Sequence, residues 1–350
     1  MKVLHTEWSE GWGGQEIRII NEMKALRKEG VELFLATRPH SKIKQKALEE
    51  NFKVFDIPFR GNFDIASILK LKKIIKKNNI DIVNTHSGKD TWVGGFAAKI
   101  AGAKFIRTRH LSNPINPARS NFINELADYI ITTGESVKEA MIKNNRINPN
   151  KIISIPTGID ETIFDPVKYN QKKMRKKYNI SLDKKIIGIL AVLRSFKRHD
   201  IFIKIANFFP DIEFVIAGDG PQKENILKQI NKLNLKNIKL IGHVEKPAEF
   251  LSAIDILLLT SDSKEGVPQS LIQGLLMNKD IIATDVGSVR DLKDENNIIL
   301  IHPNENEFKN KLKKLLNNEI KLSNKRESIL DKFTTSKMAE ATLNIYKDII

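Results

Sequence analysis

The chain has 350 residues, 41% of them hydrophobic, and a formal charge of +16 from 58 Lys and Arg against 42 Asp and Glu. That length suits about two domains with separate cores, and the lack of cysteine excludes disulfides, thiolate metal sites and cysteine nucleophiles. No run approaches the roughly 20 apolar residues that span a bilayer and the first residues lack a signal-peptide core, so a cytoplasmic, non-spanning protein is expected.

A strand over residues 2–6 opens the pattern, followed by a loop holding Gly11, Gly13 and Gly14, a helix over 17–26 that stops at Gly30, and a strand over 31–37. Strands at 52–57, 80–85, 104–108, 129–133 and 152–155 then alternate with helices at 65–77, 91–101, 120–126 and 136–143. After Pro156 the pattern lapses into a polar stretch, read as a linker over 161–184 between an N-terminal domain, 1–160, and a C-terminal domain, 185–333. The second alternation has strands at 185–190, 212–217, 238–241, 256–260, 280–284 and 298–301, with helices at 199–207, 222–233, 247–253 and 269–277. A last helix, 334–350, is free to pack on either domain. The fold expected is α/β: two doubly wound Rossmann-like domains facing a central cleft, with function in the loops after the strands.

Three loops carry candidate chemistry. Gly13 and Gly14 let the backbone approach a ligand and precede a helix whose N–H groups suit an anion, although a ligand-free tight turn explains them equally. Arg194 and Lys197, three apart after a strand, suit a diphosphate or form a solvated basic loop. The third loop holds Glu265 and Gly266 ahead of Pro268, a residue favoured at the first helical position, and Leu271, Ile272, Leu275 and Leu276 form the buried stripe beyond it. There the N–H groups of Val267, Gln269 and Ser270 face the expected cleft, and Glu265 either accepts hydrogen bonds from hydroxyls or caps the helix. His110, His5 and His86 follow strands on one edge and read as site residues or as ordinary loop and core histidines.

In order and spacing these features resemble the GT-B retaining glycosyltransferases of glycosyltransferase family 4, over essentially the whole chain. The matching segments are GGQE at 13–16, RTRH at 107–110, PTGID at 156–160, Lys197, GDGP at 218–221, GHV at 242–244 and SDSKEGVP at 261–268. The resemblance implies a nucleotide-sugar donor held mainly by the C-terminal domain and an acceptor held mainly by the N-terminal one. By the same carry-over Glu265 holds donor-sugar hydroxyls, Gln273 meets the ribose, Lys197 neutralises the diphosphate, and His110 reaches the sugar. Gly13, Gly14, Gly266, Val267 and Gln269 approach the donor, and His243 and Val244 border the base through their backbone. This sequence departs from the family twice. Its E-x7-E pair stands as Glu265 and Gln273, and the Arg expected five before Lys197 falls on Val192, so Arg194 is assigned that place. No D-x-D triplet occurs, and neither a metal nor another cofactor is expected.

The implied acceptor is a glycan or a lipid-linked molecule, in lipopolysaccharide or other surface-polysaccharide synthesis. Trp8 and Trp12 bracket the glycine loop, suited to stacking on an acceptor sugar or to core packing. The charge divides evenly between the halves, but residues 66–119 concentrate 11 basic against two acidic residues. Within it, Ile65, Ile68, Leu69 and Ile75 accompany lysines 70, 72, 73, 76 and 77, a pattern shared by an ordinary packed helix and by one lying on an anionic membrane. The inner face of the cytoplasmic membrane is therefore a candidate surface. Alternatives are a nucleotide-sugar epimerase of the same architecture, a non-catalytic binding subunit, and a basic nucleic-acid-binding protein; no nucleic-acid motif supports the last.

Overall fold

The structure, a computed structural model, describes residues 1–110, 115–263 and 265–350. It divides into two compact units, Met1–Gly158 with Thr335–Ile350, and Ile159–Thr334. The first runs β1 (Lys2–Glu7), α1 (Gly14–Lys28), β2 (Glu32–Thr37), α2 (Lys42–Glu49), β3 (Lys53–Asp56), α3 (Ile65–Asn78), β4 (Ile82–Thr85), α4 (Gly88–Ala101), β5 (Lys104–Arg109), β6 (Tyr129–Thr132), α5 (Glu135–Asn145) and β7 (Ile152–Ser154). Its seven strands are all parallel, in the order β3-β2-β1-β4-β5-β6-β7.

The second unit runs α6 (Gln171–Lys177), β8 (Ile186–Leu190), α7 (His199–Phe208), β9 (Glu213–Ala217), α8 (Lys223–Lys232), β10 (Ile238–Gly242), α9 (Pro247–Ala253), β11 (Ile256–Leu259), α10 (Gln269–Leu276), β12 (Asp280–Thr284), β13 (Ile299–Ile301), α11 (Glu305–Leu316) and α12 (Glu327–Leu330). Its six parallel strands lie in the order β10-β9-β8-β11-β12-β13. α13 (Thr335–Ile349) returns to the first unit and packs on α1, burying Met338 and Tyr346.

Both sheets are covered on both faces, so alternate residues of one strand enter different cores. Leu4, Phe34, Val83 and Phe105 face α3 and α4, whereas Val3, Leu35, Ile82 and Ile106 face α1 and α13. In the second unit Ile187, Ile189, Phe214 and Ile216 join α7 and α11, while Ile186, Val215, Leu257 and Leu259 join α9 and α10. These are the two doubly wound α/β units that the alternation predicts. Each sheet reverses its order once, between β1 and β4 and between β8 and β11, and open α/β sheets bind ligands beside such reversals.

Several expectations are corrected. The stretch 161–184 is part of the second unit: Phe164, Met174 and Ile180 are buried in its core, and Arg175 anchors α6 to Asp255 at 2.7 Å. Its polar composition hid an apolar residue roughly every helical turn. The helix expected over 120–126 is a 3-10 helix, Arg119–Asn124, whose end is closed by the Glu125 N–H donating to the Phe122 carbonyl at 2.9 Å. In α3 the apolar residues split, with Ile68, Leu71 and Ile75 buried and Ile65 and Leu69 exposed. Helices α2 and α11 were missed, although Ser41 and Asn304 cap them by accepting backbone N–H groups and Phe308, Leu312 and Leu315 repeat at helical spacing. No helix among the described residues is long and apolar enough to cross a membrane.

Candidate functional site

In the second unit the polar side chains gather at the reversal. Lys197 closes a 3-10 turn, Ser195–Lys197, in the loop after β8, and Glu265 lies in the loop after β11, the neighbouring strand. Lys197 Nζ donates to Glu265 Oε1 at 2.5 Å, and Ser261 Oγ donates to the same oxygen at 2.5 Å. The two ionic side chains are only 14% and 7% exposed, a burial that charges tolerate when paired. The loops are laced together as well. Thr260 Oγ1 donates to the Lys197 carbonyl at 2.7 Å, and the Asp262 N–H to the Phe196 carbonyl at 3.0 Å.

Two glycines allow this close approach of backbones. Gly287 has φ +57°, and a Cβ there would lie 1.9 Å from the Glu265 carbonyl oxygen. Gly218, at φ +150°, would place a Cβ 1.9 Å from the carbonyl oxygen of Ala191, at the head of the loop that carries Lys197. Gly287 was missed as a site residue, although the turn residues Asp285 to Ser288 after a buried strand mark a tight loop.

The remaining donor-side residues divide by exposure. Val244 and Val267 are buried with their side chains in the core, which leaves only their backbone to a ligand. Gly266, Gln269 and Gln273 are half-buried, and the two glutamines stand one turn apart on one face of α10. Pro268 is the N-cap of α10 rather than its first helical residue. Arg194 is exposed and makes no side-chain hydrogen bond or ion pair among the described residues, while its carbonyl accepts from the Lys197 N–H at 3.1 Å. A second paired cation of that loop beside Lys197 is Arg198, which the sequence reading does not single out: its guanidinium binds Asp200 at 2.9 Å and Asp262 at 3.3 Å.

A second cluster stands at the reversal in the first unit. Gly13 caps α1, and its N–H is already taken by Glu16 Oε2 at 2.8 Å, so it is not a free anion donor here; Gly14 is the first, exposed residue of that helix. Glu7, buried at the end of β1, accepts from the Ser9 N–H at 2.6 Å, from Gln15 Nε2 at 2.5 Å and from Ser87 Oγ. Burial, and then the charge of Asp90, push its pKa up to about 8. Asp90 is itself buried, which raises its pKa to about 6, and it accepts from Thr6 Oγ1 and from the N–H groups of His86 and Ser87.

His110 sits beside these groups in a chain of three histidines. Its Nε2 is 2.9 Å from His86 Nδ1, and His86 Nε2 is 2.8 Å from His5 Nδ1. The ring centroids are 5.1 Å apart at each step, close to the roughly 4.8 Å between strands, because the residues come from β1 and from the ends of β4 and β5. Burial holds all three neutral: the pKa of His5 falls to about 3, and those of His86 and His110 fall well below the usual value, helped by Arg107 and Arg18. Trp8 packs beneath Lys89 and Arg38, whose charged groups lie 4.3 and 5.8 Å from its ring.

Two parallel, doubly wound units, each with its polar cluster at the carboxyl edge beside a strand reversal, define the architecture of GT-B glycosyltransferases. Residues 12–162 match the model for Glycosyltransferase Family 4 and residues 170–331 match that for Glycosyl transferases group 1, and the chain belongs to this family of glycosyltransferases. Among curated relatives it is similar to the phosphatidylinositol N-acetylglucosaminyltransferase GPI3 subunit of Saccharomyces cerevisiae, 26% identical over 304 residues covering 80% of this chain. It spans just under two thirds, 66%, of that relative's length. It is also similar to the UDP-Gal:alpha-D-GlcNAc-diphosphoundecaprenol alpha-1,3-galactosyltransferase of Escherichia coli, 24% identical, covering 100% of this chain and 97% of the relative. Among solved structures, a glycosyltransferase from Rickettsia africae superposes with TM-score 0.90 at 22% identity, covering 99% of this chain and 98% of that one. Anabaena Alr3699/HepE in complex with UDP superposes with TM-score 0.88 at 18% identity, covering 99% of this chain and 100% of that one.

Proposed function

We propose that this glycosyltransferase moves a sugar from a nucleoside-diphosphate sugar to a glycan or lipid-linked acceptor in surface-polysaccharide synthesis, with retention of anomeric configuration and without a metal. The observation that carries the reading is the Lys197–Glu265 pair, buried at the reversal of the second sheet ahead of α10. Transfer requires the leaving diphosphate to be stabilised as its charge develops. Lys197 Nζ turns from Glu265 to the phosphate oxygens, and the amino end of α10 adds the backbone N–H groups around Val267. Glu265, freed of that cation, accepts hydrogen bonds from sugar hydroxyls and keeps the one from Ser261. Gln273 meets the ribose as an uncharged donor and acceptor. The Escherichia coli relative, named for UDP-galactose and a diphosphoundecaprenol acceptor, and the neighbour solved with UDP support a uridine donor and a lipid-linked acceptor.

The first unit suits such an acceptor. Phe63 and Ile65, each 68% exposed, and Leu69, 57% exposed, stand beside the exposed Lys70, Lys73, Lys76 and Lys77 of α3, apolar and basic groups that together favour an anionic membrane surface. Flotation with anionic vesicles at low salt checks this, and failure to float removes the membrane from the reading. The donor is tested by thermal shift with UDP, GDP, ADP and CMP and their sugars, followed by nucleotide release. Stabilisation by one nucleotide, with fast release only when acceptor is added, supports transfer. Consumption of the donor without acceptor, with conversion of its sugar, would mean an epimerase.

A further inference from the structure

We propose that His5 and His86 are positioning residues which fix the tautomer of His110, so that His110 presents Nδ1–H, and not Nε2–H, at the carboxyl edge of the first sheet. This rests on the reading of His110 as a residue that meets the donor sugar. It goes beyond that reading by naming the atom used and the two residues that select it.

The chain of rings runs outward in a way that the strand register dictates. His5 pairs with Asn84 across β1 and β4, so His86 lies two residues further out on the same face of the pleat. Thr85 pairs with Arg107, so His86 is level with Thr108, and His110 is two residues further out again. Exposure follows the same course, from 0% at His5 and 1% at His86 to half-buried at His110. The middle ring is pinned from its backbone, since the N–H groups of His86 and Ser87 both donate to the Asp90 carboxylate, at 2.9 and 2.8 Å.

Two contacts among three neutral rings permit two directions of donation. In one, each Nδ1–H donates outward to the Nε2 of the next ring; in the other, each Nε2–H donates inward. The inner end decides between them. His5 Nε2 is buried without a partner among the described residues. Inward donation would leave a bare N–H there, whereas outward donation leaves only a ring lone pair, and orphaned buried N–H groups are the rarer of the two. Outward donation makes His110 Nε2 an acceptor, and its one proton must then sit on Nδ1. Burial, and then the charges of Arg18, Arg107 and Arg109, keep His110 neutral, so that it carries a single ring proton. A neutral ring with a fixed N–H is a hydrogen-bond donor for a sugar oxygen, not a general acid.

The wild-type full chain, labelled with nitrogen-15, tests this without any substitution: long-range nitrogen–proton correlation spectra distinguish the two neutral tautomers. His110 and His86 are expected as Nδ1–H tautomers, and Nε2–H at His110 overturns the proposal. Substitution then tests the link to turnover. His86→Phe keeps a ring in the stack but cannot donate, and is expected to mix the His110 tautomers and lower kcat roughly 10- to 100-fold with little change in KM for the donor. His86→Asn, whose amide can stand where Nδ1 was, is expected to restore most of both. A single Nδ1–H tautomer at His110 with wild-type kcat in folded His86→Phe would overturn the positioning role. Failure of the donor-site reading looks different: His110→Ala turns over normally or UDP does not bind, while the wild-type spectrum still reports the tautomer.

Discussion

Substituting Lys197 by alanine separates its observed pairing with Glu265 from the diphosphate binding proposed for it. In the free protein, loss of the cation leaves the Glu265 carboxylate with Ser261 Oγ alone. Removing one partner of a fully buried ion pair costs about 3–5 kcal/mol. This site should fall below that range, because Ser261 still donates and the 14% exposure of Lys197 marks a path by which water can replace it. About 2–3 kcal/mol is expected, or a fall of roughly 4–12 °C in the melting midpoint for a unit of this size. In the complex, loss of one charge-assisted hydrogen bond to the diphosphate costs about 1.5–3 kcal/mol, which is roughly 10- to 150-fold in Kd. Titration calorimetry with UDP, alongside thermal melts of the same samples, reads both. Adding Glu265→Gln to Lys197→Ala should recover much of the midpoint, since no buried charge is then unpaired, and should recover none of the UDP affinity. A Kd for UDP equal to wild type in a variant whose midpoint has fallen would refute the reasoning and leave the pair with a structural role only.

Gln273→Glu should tighten nucleotide binding by about 1 kcal/mol, through a charge-assisted contact with the ribose; equal calorimetric affinities would mean that this position does not read the ribose. Gly287→Ala places a Cβ against the Glu265 carbonyl at a φ of +57°, and should cost about 1–3 kcal/mol in chemical denaturation together with most of kcat, whereas unchanged values would show that the two loops can part without consequence. Because burial raises the pKa of Glu7 from 4.5 to about 8, its favourable contribution is full below the lower value and is lost as pH climbs to the upper one. Glu7→Gln should therefore flatten the fall in melting midpoint across that window, and a slope identical to wild type would remove Glu7 as its source.

Both sheets were legible because parallel strands buried on two faces are continuous apolar runs, such as the one at Ile256–Leu259, bounded by turn residues. The same logic failed for α2 and α6, whose buried residues are few and spaced among lysines, so their N-caps were the only strong local signal. In the site, Lys197 and Glu265 could be proposed from their motifs, but their contact joins positions 68 residues apart through a strand order that spacing alone does not encode. Arg194 takes the place of the family's Arg, which falls on Val192, and Arg198 is not singled out. The left-handed turn at Arg198, φ 50°, which turns that guanidinium toward Asp200 and Asp262, is a backbone feature invisible in the residue types. The histidines were noticed singly at strand ends, and only the stagger of β1, β4 and β5 makes them a chain.

Helix α13 belongs to a unit whose other residues precede it by the whole length of the second one. During synthesis the second unit, continuous from Ile159 to Thr334, can complete its core first. Until α13 arrives, the first unit lacks Tyr346, whose hydroxyl accepts from Asn84 at 2.9 Å, and Met338, whose sulfur accepts from the Gly158 N–H at 3.2 Å. Asn84 also accepts from Thr108, on the two strands that end in His86 and His110. The assembly of the histidine chain is thus tied to the arrival of a distant helix, and an unfinished chain would carry a formed core in its second unit while that of the first stayed open.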